Sequence, residues 1–284
     1  MNPHSIKFLG NLIYTNADLT PHLQCNNNSM MASYELFRLL YLYLLADKLN
    51  LQNRSMKIPR PPGNQMSSSS KSQKLKGKMH LLSQADGSCS LSVGQTAFMA
   101  AVYGPREVKM NKEKVDKAVI EFMYRPKVGQ SGCAERFWET LVGNTCETAI
   151  LCSLHPRKSV GIIVQELQNS GSQLACCINA AFLALLDACI PVRYMVAATC
   201  CVITEGSTEP ILSPTAAQEE NAIAHMTFAF DSVDNNVVCS HTTGCFSEDQ
   251  FQLCLEVCRK ANKQVFDFYR EALRERLSGS MIEC

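Results

Sequence analysis

The sequence contains no C-x-x-C pair, although it holds 15 cysteines. Structural zinc sites usually bring two such short spacings together. Cys176-Cys177 and Cys200-Cys201 are adjacent, and Cys254 and Cys258 lie one helical turn apart with no matching second pair. An odd cysteine count in a chain of 284 residues reads as small buried residues in a reducing compartment. No apolar run reaches the roughly 20 residues that span a bilayer, so no membrane partner is expected. The first residues lack a basic region, an apolar segment and a small-residue cleavage site, so secretion is not expected either. No Ser/His/Asp or Cys/His arrangement is legible from spacing. His155 precedes Pro156, and His241 falls at the end of a predicted strand. Both read as surface or packing residues rather than catalytic bases. Positive charge is also scarce where it would count. Residues 1–80 carry 10 Lys+Arg against 3 Asp+Glu, but residues 81–284 carry 17 against 23. A nucleic-acid-binding body normally presents a basic face. Any such contact here has to be local, or shared with a partner.

What is present divides the chain in two. Residues 1–79 form an extension. Within it, 34–51 ("YELFRLLYLYLLADKLNL") predicts an apolar helix, and 52–79, with "RPPG", "SSSS" and "KSQKLKGKM", predicts a basic flexible linker. The extension could also serve as an adaptor for other proteins. Residues 80–284 read as one domain. Strands are predicted over 89–103 (two, joined at Val93-Gly94-Gln95), 117–125, 159–167, 194–204, 209–212, 224–231 and 236–241. Helices are predicted over 135–152, from Ser172 to Ala188, from about Thr215, and from Ser247 to Leu277. Ala175, Cys176, Ala180 and Ala184 give the second helix a small-residue face for close packing on a sheet. Two waves of strands and helices indicate an α+β or α/β layered domain. The turn Ser170-Gly171-Ser172 feeds directly into that small-residue helix. The first N–H groups of a helix are unpaired and attract anions, so this turn has the shape of a phosphate site.

The ordered series Asp86-Gly87-Ser88, Gly94-x-Thr96 and Gly104-Pro105 resembles the opening of RNase PH-type domains. "NTCETAILCSLHPRKSVGIIVQ", "SGSQLACCINAAFLALLDACIPVR", "MTFAFDS" and "FYREALRER" continue the pattern over about residues 80–277. The sequence is similar above all to the RNase PH-type subunits of the eukaryotic RNA exosome ring. The resemblance implies the α+β RNase PH fold, like the second domain of ribosomal protein S5, with two similar halves of sheet and helix. It implies partners as well: other RNase PH-type exosome subunits, RNA-binding cap subunits, and RNA threaded through the assembled ring. The implied setting is the nucleus and nucleolus, and the cytoplasm.

Active members of the family cut RNA from the 3′ end with inorganic phosphate as nucleophile. Their site uses arginines, a helix N-terminus and acidic residues that hold magnesium. On the matching positions this chain carries Ser172 and Gln173 at the phosphate turn, where a basic residue is expected at 173. Thr140 stands in a helix whose arginines are gone. Ser213, Glu219 and His225 occupy the acidic positions, leaving one carboxylate, which reads as a solvated side chain. These are degenerate positions, so no catalytic residue, metal or cofactor is expected. The sequence therefore predicts a non-catalytic ring subunit that supports 3′-to-5′ RNA processing and degradation. The alternative is a phosphate-dependent exoribonuclease or stand-alone nuclease that still uses Asp86, Ser172 and Glu219. Arg106, Lys109, Lys112 and Lys114 are the candidate RNA contacts, in a run that reads equally well as a solvated loop.

Overall fold

The computed structural model describes residues 73–204 and 210–280. The predicted helix at 34–51 and most of the basic stretch lie outside the described residues. The end of that stretch is not a linker. Leu75–Met79 is strand β1, paired antiparallel with β2 from Leu75↔Val93 to Met79↔Cys89. Leu75, Gly77 and Met79 are half-buried while Lys76 and Lys78 face out. The lysines disguise a period-two pattern as a charge run. The boundary placed at residue 80 thus moves back to include this strand.

β2 (Gly87–Val93), β3 (Thr96–Glu107), β4 (Val119–Arg125) and β5 (Lys158–Gln168) complete a five-stranded sheet in the order β1-β2-β3-β5-β4. Only β4 and β5 run parallel, and helix α1 (Cys133–Ala149) makes the crossover between them. The second sheet has the order β7-β6-β8-β9, from β6 (Val196–Thr204), β7 (Ile211–Leu212), β8 (Ala222–Asp231) and β9 (Val237–Gly244). Helix α2 (Gln173–Asp187) lies against β2 and β3 of the first sheet and β6 of the second. Helix α4 (Glu248–Ser280) covers β6 and β8 and reaches β1. A single-turn helix, α3 (Ala216–Glu220), precedes β8. The expected α+β architecture, a sheet with helices in each half, is what the chain adopts.

Every residue of α2 from Leu174 to Asp187 is buried. The sequence predicts one small-residue face, but the structure covers all faces, as a helix apolar all round requires. Gly87 shows how close the packing is. A Cβ there would collide with the backbone N of Ala188 and the carbonyl of Ala184. Each large side chain buried along this helix, Phe182 among them, stabilises the fold by about 1.5–3 kcal/mol. Of the described cysteines, nine are buried and none is bridged, as expected for small apolar residues, whereas Cys133 and Cys245 are exposed.

One polar side chain interrupts this apolar helix. The Asn179 amide nitrogen donates to the Ala198 carbonyl at 2.8 Å, and its Oδ1 accepts from the Ala198 N–H at 2.7 Å. Strand β7 is too short to reach Ala198, since it pairs only with Cys201 and Val202. Asn179 therefore stands in for a missing strand. The Tyr269 hydroxyl of α4 donates to the same Oδ1 at 3.1 Å. One amide thus ties α2, β6 and α4 together. Asn179→Leu leaves the Ala198 N–H and carbonyl unpaired in an apolar setting and takes from the Tyr269 hydroxyl the nearest of its three acceptors. A buried polar group without a partner costs about 1–3 kcal/mol. Urea denaturation of this variant is expected to show a loss of about 2–4 kcal/mol. A midpoint equal to that of the unsubstituted chain would contradict the role given to Asn179.

Candidate functional site

The turn between β5 and α2 is built by residues far apart in sequence. The Thr96 hydroxyl donates to the Gly171 carbonyl at 2.6 Å and accepts from the Ser170 N–H at 3.0 Å. Asn169 Oδ1 accepts from the Gly171 N–H at 3.1 Å. Gly171 has φ +106°, and a side chain there would collide with the Pro214 carbonyl. Ser172 follows with φ +53°, a left-handed conformation that costs a non-glycine residue about 1–2 kcal/mol. Its hydroxyl donates to the Pro214 carbonyl at 3.2 Å rather than capping the helix.

The Ser172 N–H donates to Glu219 Oε1 at 2.7 Å. This is the group that a bound anion would take. Glu219 is delivered by α3, whose start is fixed by a capping box between Thr215 and Gln218. The expectation of a solvated carboxylate at Glu219 is overturned. Its side chain is 26% exposed and aimed inward. His225 Nε2, from β8, lies 3.2 Å from the same oxygen. Cys200 Sγ, from β6, lies 3.2 Å from that nitrogen. Burial, and then the charge of Glu219, push the Cys200 thiol well above its ordinary range, so it is protonated at neutral pH.

The remaining predicted positions separate into different settings. Gln173 turns away from this cluster and donates to the Tyr124 hydroxyl at 2.9 Å. Tyr124 in turn donates to Glu166 at 2.8 Å. Burial, reinforced by Glu166, raises the tyrosine far above its usual range. Ser213 joins the cluster through its backbone. Its N–H donates to the Cys200 carbonyl at 2.9 Å, and its carbonyl accepts from Gln73 at 2.7 Å. Ser172, Cys200 and Ser213 line a cavity of about 20 Å³, room for roughly one water molecule. Thr140 instead bonds to the Arg136 carbonyl and lines a separate groove of about 900 Å³. Arg106, Lys112 and Lys114 line that same groove, while Lys109 does not. Its cations are matched by acids: Lys112 pairs with Glu121 at 2.8 Å and Lys114 with Glu147 at 3.9 Å. Arg106 lies over the Tyr103 ring at 4.4 Å. His241 sits within β9 rather than at its end, and its ring packs on Phe137. Burial lowers the pKa of both His155 and His241, so neither adds a cation.

Sequence reasoning missed Cys200, Tyr124 and Glu166. Cys200 meets His225 only because β6 and β8 pair across the second sheet, and strand register is not written in spacing. The Asp-Gly-Ser motif proves to be scaffolding. Asp86 accepts from the Gly104 N–H at 2.8 Å, and the Ser88 hydroxyl accepts from the N–H groups of Leu81 and Leu82. Magnesium does not fit the Cys200–Glu219–His225 cluster. That ion takes hard oxygen ligands, and the cluster offers one carboxylate, already committed to an N–H, beside an imidazole and a thiol.

Residues 71–191 match domain 1 of the 3′ exoribonuclease (RNase PH) family, and residues 193–261 match its domain 2. A protein of Arabidopsis thaliana described as "Exosome complex exonuclease RRP46 homolog" is 30% identical over 213 residues, which is 69% of this chain and 89% of the relative. The chain belongs to the RNase PH family. The human protein "Exosome complex component RRP41" is 29% identical over 223 residues, covering 74% of this chain and 89% of that one. The crystal structure of rice Rrp46 superposes with a TM-score of 0.70 at 30% identity, over 73% of this chain and 98% of that chain. Within the RNase PH frame, the Ser172 N–H at the start of this helix is taken by the chain's own carboxylate. Removing that carboxylate tests the contact. Glu219→Ala frees the Ser172 N–H and is expected to lower stability by about 0.5–2 kcal/mol in urea denaturation. Glu219→Gln keeps an acceptor and should lose less. Equal midpoints for Glu219→Ala and the unsubstituted chain would show that the contact holds nothing in place.

Proposed function

We propose that this chain is a non-catalytic subunit of the RNA exosome ring, supporting 3′-to-5′ RNA processing and degradation without cutting RNA itself. The observation that carries this reading is the Glu219 carboxylate 2.7 Å from the Ser172 N–H. A phosphate arriving there meets a negative charge. Gln173 adds to this, because its amide is neutral and held by Tyr124. The resemblance to RRP46 and RRP41 proteins supports membership of the ring. Exposed apolar side chains support extended contact with neighbours, notably Met110, Val115, Val128, Phe137 and Leu154. The partners are other RNase PH-type subunits and RNA-binding caps, and the setting is the nucleus, nucleolus and cytoplasm. RNA passes through the assembled ring. The 900 Å³ groove adds little attraction of its own, since acids offset two of its lysines.

Two measurements test this. The tagged full chain, recovered from its own cell extract and weighed by native mass spectrometry, should bring down five other RNase PH-type subunits in equal copies. Recovery of a homo-oligomer alone would contradict the ring. The purified chain, given 5′-labelled single-stranded RNA and inorganic phosphate, should leave the RNA at full length. Phosphate-dependent shortening that Glu219→Ala abolishes would favour the enzyme reading.

A further inference from the structure

We propose that Cys200, Glu219 and His225 form a binding site for a divalent transition-metal ion of the zinc type. The three donor atoms lie within 4.8 Å of one another. Sγ to Nε2 and Nε2 to Oε1 are both 3.2 Å. Zinc binds thiolate sulfur at about 2.3 Å and imidazole nitrogen or carboxylate oxygen at about 2.0–2.2 Å. Tetrahedral angles then place the donors roughly 3.3–3.6 Å apart, so small side-chain movements admit the ion. The donors come from three separate elements, β6, α3 and β8, each fixed by its own hydrogen bonds. The Ser172 N–H donates to the same oxygen, Oε1, and so fixes where the carboxylate sits, as outer partners of metal ligands do.

The donor types choose the ion. A thiolate and an imidazole favour zinc over magnesium or calcium. Binding displaces the thiol proton to solvent. The thiolate and the carboxylate then balance the two positive charges of the ion, and the enclosed cluster is left neutral. Cys200 is 1% exposed, while the His225 and Glu219 side chains are each 26% exposed. The buried ligand anchors the ion, and the half-exposed pair gives it a path in and a fourth position for water. A metal there would clasp α3, β6 and β8 together beside the start of α2. The proposal does not depend on ring membership, since it is read on the chain alone.

The experiment uses the full chain with its affinity tag removed and its metals stripped by chelator. Zinc is titrated under equilibrium dialysis and counted by elemental analysis. Cobalt serves as the optical probe, because a cysteine ligand gives it a thiolate charge-transfer band. One equivalent of zinc and that band are expected. Cys200→Ser should abolish the band, and both Cys200→Ser and His225→Gln should weaken binding at least tenfold. His225 is half-exposed, so its variant should fold, which the thermal melt of the metal-free protein checks. Cys254→Ser, a change in a different buried thiol, should keep the full equivalent. Absence of a bound equivalent overturns the proposal. So does an equivalent that survives both cluster variants, whether or not Cys254→Ser removes it.

Discussion

Helix α2 runs between two sheets and is buried from Leu174 to Asp187. A helix in that position cannot leave its first N–H groups to bulk water. Something on the chain, or bound to it, has to accept them. That demand organises the turn from Asn169 to Ser172, the clamp from Thr96, and the placement of α3 with its Glu219. A fold that ordinarily faces phosphate at this point can meet the same demand from within, using a tethered carboxylate. The packing is then held from within the chain.

The residues of the family motif have structural work of their own. Asp86, Ser88 and Thr96 each hold backbone groups of neighbouring loops. Gly87 clears the end of α2. None of these roles involves RNA. The other candidate positions also bond within the chain: Gln173 to Tyr124, which donates to Glu166, Glu219 to Ser172 and His225, and Ser213 to the Cys200 carbonyl.

Most of the fold was legible because its signals are local. Strand alternation, the apolar length of α2 and the amphipathic α4 are all periodicities within one segment. β1 escaped because its lysines resemble a charge run, although Leu75, Gly77 and Met79 alternate with them. Within the site, the neutral Gln173 at the turn was plain from residue type alone. The fate of Glu219 was not, since a lone carboxylate on one turn of helix carries no mark of where the loop delivers it. Cys200 and His225 were further hidden, because their approach depends on the register between β6 and β8. Contacts that are local in space but distant in sequence are the part a single sequence does not display.

The central claim is that the Ser172 N–H at the start of α2 is already taken by the chain's own carboxylate. Titrating inorganic phosphate into isotopically labelled full-length chain, while following the Ser172 amide resonance, tests it most directly. The account predicts an amide that does not respond to phosphate in the unsubstituted chain. A saturable phosphate-dependent shift at Ser172 would show that the anion site is open, and would contradict the account.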